Sequence, residues 1–79
     1  MPLLPLFVDL KGRCCVVVGG GAVAERKVRT LLEAGARVKV ISPSLTPSFQ
    51  RWLQEGLLEY EAHPFREEDV EGAALVVAA

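Results

Sequence analysis

The stretch that most constrains the fold is a run of three glycines, Gly19 to Gly21, set between an apolar segment and an amphipathic one. The apolar segment, Arg13–Val18, ends in three valines, which is typical of a strand buried on both faces of a parallel sheet. From Ala22 onward apolar residues recur at helical spacing, and Gly35 follows the last of them, which predicts a helix that ends just before Gly35. The residues at that spacing are Ala24, Val28, Leu31 and Leu32.

Strand-like and helix-like segments alternate along the rest of the chain. The pattern predicts a strand Arg37–Ser42, a short helix capped by Thr46 and Pro47 and stopped by Gly56, a strand Leu57–Ala62, a helical turn near Glu67–Val70 and a strand Ala73–Ala79. Such alternation predicts an α/β fold with a Rossmann-like parallel sheet of about four strands. Because no covering helix follows the last strand, we interpret the chain as the first half of a doubly wound fold, truncated after its fourth strand. Leu3–Leu10 contains Pro5, which restricts that segment to a sheet edge.

Composition and charge exclude several classes of function. Nine basic and ten acidic residues among 79 give a net charge of -1, which is too small to attract nucleic acid or an anionic membrane surface. Met1–Arg13 is apolar but lacks the basic start of a signal peptide, and no apolar run approaches the roughly 20 residues of a membrane-spanning helix. We therefore expect one cytoplasmic domain with no nucleic-acid or membrane partner. Cys14 and Cys15 are adjacent and point to opposite faces of a strand, so we expect core thiols.

The glycine run fits a known ligand-binding pattern. Gly19, Gly21 and Ala24 match the G-x-G-x-x-G/A fingerprint of a dinucleotide-binding turn. The first glycine permits a tight turn, the second lets backbone approach a pyrophosphate, and the third small residue lets helix pack on sheet. The helix N-terminus would hold the anion. The alternative is a strand-to-helix turn that binds nothing.

One expected feature of a dinucleotide site is missing. A carboxylate normally lies about 20 residues beyond the glycines and binds the ribose hydroxyls, but this chain has Ser42, Pro43 and Ser44 there. Ser42 can make a single, weaker hydrogen bond. No arginine follows the strand to hold a 2′-phosphate, so these residues leave the choice between NAD and NADP open.

Several longer motifs carry a family resemblance. The chain has "LPLF" and "LKGR" near its start, "GGGAVAERK", "LLEAGA", and "SP" after the second strand. It resembles the N-terminal domain of sirohaem (siroheme) synthase and of stand-alone precorrin-2 dehydrogenases. The resemblance implies an NAD-dependent oxidoreductase of sirohaem (porphyrin) biosynthesis that oxidises precorrin-2 to sirohydrochlorin, joined in some members to iron insertion. It also implies a homodimer, with Ala22, Val23, Pro43 and Ser44 contacting NAD.

The resemblance assigns no catalytic residue to these 79 positions. In the family a functional aspartate and the dimerisation region lie beyond the "VVAA" strand with which this chain ends. We therefore expect residues 1–79 to form a single NAD(P)-binding domain that lacks those segments. The alternative is a non-catalytic nucleotide-binding or interaction module, whose apolar last strand leaves an edge open for pairing.

The remaining polar residues suggest no metal site. His63 has no partner at ligand spacing, so we expect a loop or core histidine. Glu67, Glu68 and Asp69 are consecutive, and we expect them to fan out at a solvated helix start. Arg26 and Lys27 lie near the helix start that would face phosphate, and the sequence leaves open whether they contact it or only solvent.

Overall fold

A computed structural model of the chain describes residues 9–79 and shows four parallel strands in the order β3-β2-β1-β4. The strands are β1 (Cys14–Val18), β2 (Arg37–Ile41), β3 (Glu59–Glu61) and β4 (Leu75–Ala78), and the helices are α1 (Ala22–Glu33) and α2 (Pro47–Gln54). A single 3₁₀ turn, Glu67–Val70, which we call the crossover turn, lies between β3 and β4. The predicted α/β fold is confirmed. The predicted edge segment Leu3–Leu10 lies, apart from its last two residues, outside the described residues.

Strand β1 lies at the centre of the sheet and pairs on both sides. Val17 lies opposite Val40 of β2 and Val77 of β4. Its three central residues, Cys15 to Val17, are at most 1% exposed. A strand covered on both faces has no polar side, which explains why this segment is apolar without alternation.

The helices begin and end at the residues that the sequence predicts. In α2, the Thr46 side chain accepts a hydrogen bond from the Phe49 amide at 3.4 Å, and Pro47 occupies the first helical position. Gly35 follows the end of α1 and its C-cap Ala34, with φ +79, a left-handed conformation that glycine adopts at no steric cost. Among residues 9–79, no helix is both long enough and apolar enough to cross a membrane.

The core lies between one face of the sheet and the two helices. Phe49 is completely buried and meets Trp52 edge to face, with ring centroids 5.4 Å apart. Arg29 of α1 places its guanidinium over the Trp52 ring at 5.7 Å, which links the outer surfaces of the two helices. The buried core residues are Cys15, Val17, Ala24, Val28, Leu31, Ala36, Val38, Val40, Phe49 and Leu58.

Two predicted strands are shorter in the structure because helical turns take their first residues. The Leu57 amide donates to the Trp52 carbonyl at 3.0 Å, so Leu57 completes the end of α2 instead of starting β3. In the same way the Ala73 amide donates to the Val70 carbonyl at 3.1 Å, so Ala73 bonds back to the crossover turn instead of starting β4. Strand β3 ends at Glu61, whose carbonyl accepts from the His63 amide at 3.1 Å.

The crossover turn brings one residue to the sheet face opposite the helices. Lys39 and Glu61 alternate with core-facing residues and so point to this second face. Asp69 of the turn approaches the same region and is only 8% exposed. The expectation that Glu67, Glu68 and Asp69 are all solvated is wrong for Asp69, because a 3₁₀ turn directs residues on successive positions to different sides.

Replacing Phe49 tests the packing of α2. We expect Phe49→Ala to lower the free energy of unfolding by about 3 kcal/mol or more, because it leaves a cavity under a fully buried ring. Leu53→Ala on the same helix is the control, since Leu53 is 36% exposed. Urea unfolding followed by circular dichroism gives both values, and equal losses would contradict this packing.

The two cysteines provide a second test. Burial raises the pKa of the Cys15 thiol, with a smaller contribution from its neighbour Cys14, and the thiolate is the reactive form. We expect iodoacetamide to modify the half-buried Cys14 well before Cys15. Mass spectrometry of partly alkylated, protease-digested chain measures the order, and unfolded protein should show no preference.

Candidate nucleotide-binding site

The glycine turn lies where the neighbouring strands β2, β1 and β4 end. The Gly19 amide donates to the carbonyl of Ile41, the last residue of β2, at 2.9 Å. On the other side the Ala79 amide donates to the carbonyl of Val18 at 2.9 Å. The Gly20 carbonyl accepts from the Thr46 amide, at the start of α2, at 3.2 Å. The turn is thus held from three directions at the carboxyl edge of the sheet, where ligands of open α/β sheets bind.

Gly19 and Gly20 exclude side chains for steric reasons. At Gly19 φ is +128, and a Cβ atom would lie 2.5 Å from the Ala79 carbonyl oxygen. At Gly20 it would lie 2.8 Å from Ser42 Oγ and still closer to the Ser44 carbonyl oxygen. The fingerprint has no requirement at the position of Gly20, so sequence reasoning missed its role. That role is the close approach between the turn and residues 42–44.

Gly21 differs, because a Cβ atom there would meet nothing within 4 Å. Gly21 is the N-cap of α1 and provides no side-chain cap, so the first amides of the helix are free of the cap that Thr46 gives α2. Ala22 and Val23 follow and are both exposed. Open space over uncapped helix amides is the geometry that an anion needs.

Lys27 adds a positive charge at the same edge. Its Nζ donates to the Ala78 carbonyl oxygen at 3.4 Å, so the side chain reaches from α1 to the end of β4. The Lys27 side chain thus lies along the carboxyl edge of the sheet.

The turn of residues 42–44 forms the other wall of the site. The Ser42 hydroxyl donates to the Ser44 carbonyl at 2.8 Å, and the Ser42 carbonyl accepts from the Tyr60 hydroxyl at 2.8 Å. Ser42 is only 7% exposed, whereas Pro43 and Ser44 are exposed. With its proton already donated, the Ser42 hydroxyl can only accept a hydrogen bond from a ligand. The predicted contacts of these three residues stay predictions.

The basic residues of β2 pair with β3 and point away from this wall. Arg37 forms an ion pair with Glu59, with 3.5 Å between Nη2 and Oε1. Lys39 contacts Glu61. This hydrogen bond lowers the pKa of the Glu61 carboxyl and raises that of the Lys39 ammonium. Residues 42–46 contain no arginine or lysine that could hold a 2′-phosphate.

His63 does have partners, contrary to expectation. Its Nε2 lies 3.6 Å from Glu61 Oε1 and 3.6 Å from Asp69 Oδ1. The description of His63 as a lone histidine is therefore wrong. Asp69 reaches it through the fold of the crossover turn, and no sequence spacing indicates that approach.

A depression lies at the opposite edge of the sheet. It has a volume of about 210 Å³ and lies between residues 36–38 and 56–59. These residues are at the amino ends of β2 and β3, away from the edge where parallel sheets bind ligands. We therefore do not assign the nucleotide to it.

A parallel sheet whose glycine turn opens onto an uncapped helix N-terminus defines the class of Rossmann-like dinucleotide-binding domains. Residues 6–79 match a family model described as "Putative NAD(P)-binding", and the chain belongs to this NAD(P)-binding family.

Named relatives confirm the resemblance seen in the sequence. The chain is 44% identical over 79 residues to siroheme synthase of Nitrosococcus oceani and 47% identical to that of Methylobacillus flagellatus. It spans 17% of the length of each of these proteins. Among solved structures, SirC, precorrin-2 dehydrogenase, is similar with a TM-score of 0.91 at 32% identity, over 98% of this chain and 39% of that one.

Substitutions at two neighbouring glycines test the geometry of the turn. We expect Gly20→Ala to destabilise the domain, because its methyl group would collide with Ser42 and Ser44. Gly21→Ala, with open space around the new atom, should leave the midpoint of thermal unfolding nearly unchanged. Circular dichroism melts of the two variants measure the difference, and equal midpoints would contradict the close approach at Gly20.

Proposed function

We propose that this chain provides the cofactor-binding part of a dehydrogenase that oxidises precorrin-2 to sirohydrochlorin with NAD. The observation that carries the proposal is the open position at Gly21 above the uncapped start of α1. It occurs in a chain that matches precorrin-2 dehydrogenase at a TM-score of 0.91. Because the chain spans 39% of that structure and 17% of the siroheme synthases, the oxidation is a proposal for an assembly that includes the rest of the family's length.

The residues of the turn would bind and orient the nucleotide. In this proposal Gly19 turns the chain at the end of β1, and Gly21 admits the pyrophosphate against the amides of Ala22 and Val23. The positive end of the α1 dipole stabilises the phosphate charge there. Bound NAD would supply the hydride acceptor, and the chain contributes its orientation.

The second wall would hold the adenosine end. Pro43 and Ser44 are exposed beside the glycine turn, and Ser42 can accept a hydrogen bond from a ribose hydroxyl. We propose NAD over NADP, because residues 42–46 provide no cation for a 2′-phosphate and Arg37 and Lys39 are engaged with β3.

The proposed substrate and oligomeric state rest on the family resemblance. We propose a tetrapyrrole substrate and a homodimer, with no catalytic residue among these 79 positions. A second candidate is a non-catalytic nucleotide-binding or interaction module. It is favoured by the exposed apolar side chains of the edge strand β4, where Leu75 and Val76 are 40% and 42% exposed.

Calorimetric titration with NAD and with NADP tests the cofactor proposal. We expect saturable binding of NAD, tighter than that of NADP, and its loss in Gly21→Val. That substitution fills the space needed for the pyrophosphate but meets no protein atom near its Cβ, so the fold should persist. Thr30→Val is the control, because it introduces the same β-branched side chain at an exposed position of α1.

The outcomes separate the two candidate functions. Binding lost only in Gly21→Val supports the cofactor site and leads to an anaerobic precorrin-2 oxidation assay of a chain extended to the family's length. Binding of NAD without oxidation by that extended chain supports the non-catalytic module. A folded chain that binds NAD no better than Gly21→Val would refute the proposal.

A further inference from the structure

A cluster of three metal-ligating side chains lies on the sheet face opposite the helices. It consists of Glu61 at the end of β3, His63 two residues later, and Asp69 in the crossover turn. One ligand atom from each lies within 4.8 Å of the other two. The nucleotide fingerprint does not involve these residues.

The backbone determines which nitrogen of His63 faces the carboxylates. Nδ1 lies 2.7 Å from the carbonyl oxygen of Pro64. A carbonyl can only accept, so Nδ1 carries the hydrogen, and in the neutral ring Nε2 carries the lone pair. A histidine that donates one N–H to a carbonyl and presents the other nitrogen is the usual arrangement of a metal ligand.

In each carboxylate, one oxygen contacts a nitrogen of a neighbouring residue and the other oxygen faces His63. Lys39 contacts Oε2 of Glu61, and the Arg66 amide donates to Oδ2 of Asp69 at 2.8 Å. Glu61 Oε1 and Asp69 Oδ1 both lie 3.6 Å from Nε2. Two acceptor oxygens and a lone pair repel one another unless a positive charge lies among them.

We propose that Glu61, His63 and Asp69 bind a divalent first-row transition metal ion, with Zn²⁺ as the favoured ion. One imidazole nitrogen and two carboxylate oxygens suit Zn²⁺, whereas Mg²⁺ and Ca²⁺ prefer oxygen ligands alone. Ligands at about 2.0–2.2 Å from a tetrahedral ion lie about 3.4 Å from one another. The two separations from Nε2, 3.6 Å each, are close to that value, the two carboxylate oxygens lie within 4.8 Å of each other, and water would complete the coordination.

The local charge also favours a cation. Two carboxylates, the Lys39 ammonium and a neutral imidazole sum to one negative charge, and Asp69 is largely withdrawn from solvent, with a side chain 6% exposed. The ion would join the end of β3 to the crossover turn, and so tie the connection that leads to β4. This inference does not depend on the proposed nucleotide site.

Metal titration of the 79-residue chain tests the proposal. The probes are Zn²⁺ by calorimetry and Co²⁺ by its visible absorption. We expect one ion per chain, and binding weaker by more than about 100-fold in His63→Ala and in Glu61→Gln, since loss of even an outer-shell partner costs 10- to 100-fold. Two variants are used because either alone could disturb the fold, which circular dichroism checks.

The matched controls replace carboxylates that lie outside the cluster. Glu59→Gln lies on the same strand and pairs with Arg37, and Glu68→Gln precedes Asp69 in the crossover turn with an exposed side chain. Neither should change the affinity more than about twofold, in line with the small effect of exposed charges.

Three results would overturn the assignment. One is the absence of metal binding, which would leave His63 as a protonated ion-pair partner of Glu61 and Asp69. Another is binding that survives His63→Ala. The third is binding lost in Cys14→Ser together with sulfur-to-cobalt charge-transfer absorption, which would place the ion on a thiolate. Nitrogen NMR of the His63 ring distinguishes a metal-bound Nε2 from a protonated one.

Discussion

The architecture depends on the absence of side chains at Gly19 and Gly20. The turn after β1 passes so close to Ala79 on one side and to Ser42 and Ser44 on the other that a single methyl group would collide with backbone or a buried hydroxyl. Through this contact the ends of β2 and β4 and the start of α2 meet around the end of β1. The edge of the sheet that a dinucleotide would use is therefore also the point where the elements are joined.

The two faces of the sheet have different roles because different connections between strands pack on them. Both helices lie on one face and bury Phe49 and the aliphatic side chains of β1 and β2. Among residues 9–79, the return from β3 to β4 contains the crossover turn, which brings Asp69 to the other face. There Lys39, Glu61, His63 and Asp69 gather. Apolar packing thus organises the helical face, while charge pairing organises the region under the turn.

Sequence patterns located the elements well where a local cause exists. Thr46, Pro47 and Gly35 mark helix boundaries by capping chemistry that needs only a few neighbouring residues. The errors at Leu57 and Ala73 have the opposite origin. Apolar residues there continue a strand-like run, yet their amides bond back to the preceding helical turn, and hydrophobicity alone does not show where a backbone hydrogen bond goes.

Local sequence was enough for the parallel α/β class and for the positive-φ turn at Gly19, because steric freedom and burial periodicity are properties of short segments. The role of Gly20, the buried state of Asp69 and the partners of His63 depend on how separate turns and strands fold against one another. Gly20 meets Ser42 and Ser44 more than 20 residues later, and Asp69 approaches His63 only because the crossover turn folds back over β3. Such distances are set by the packing of the whole domain, and no spacing in the sequence encodes them.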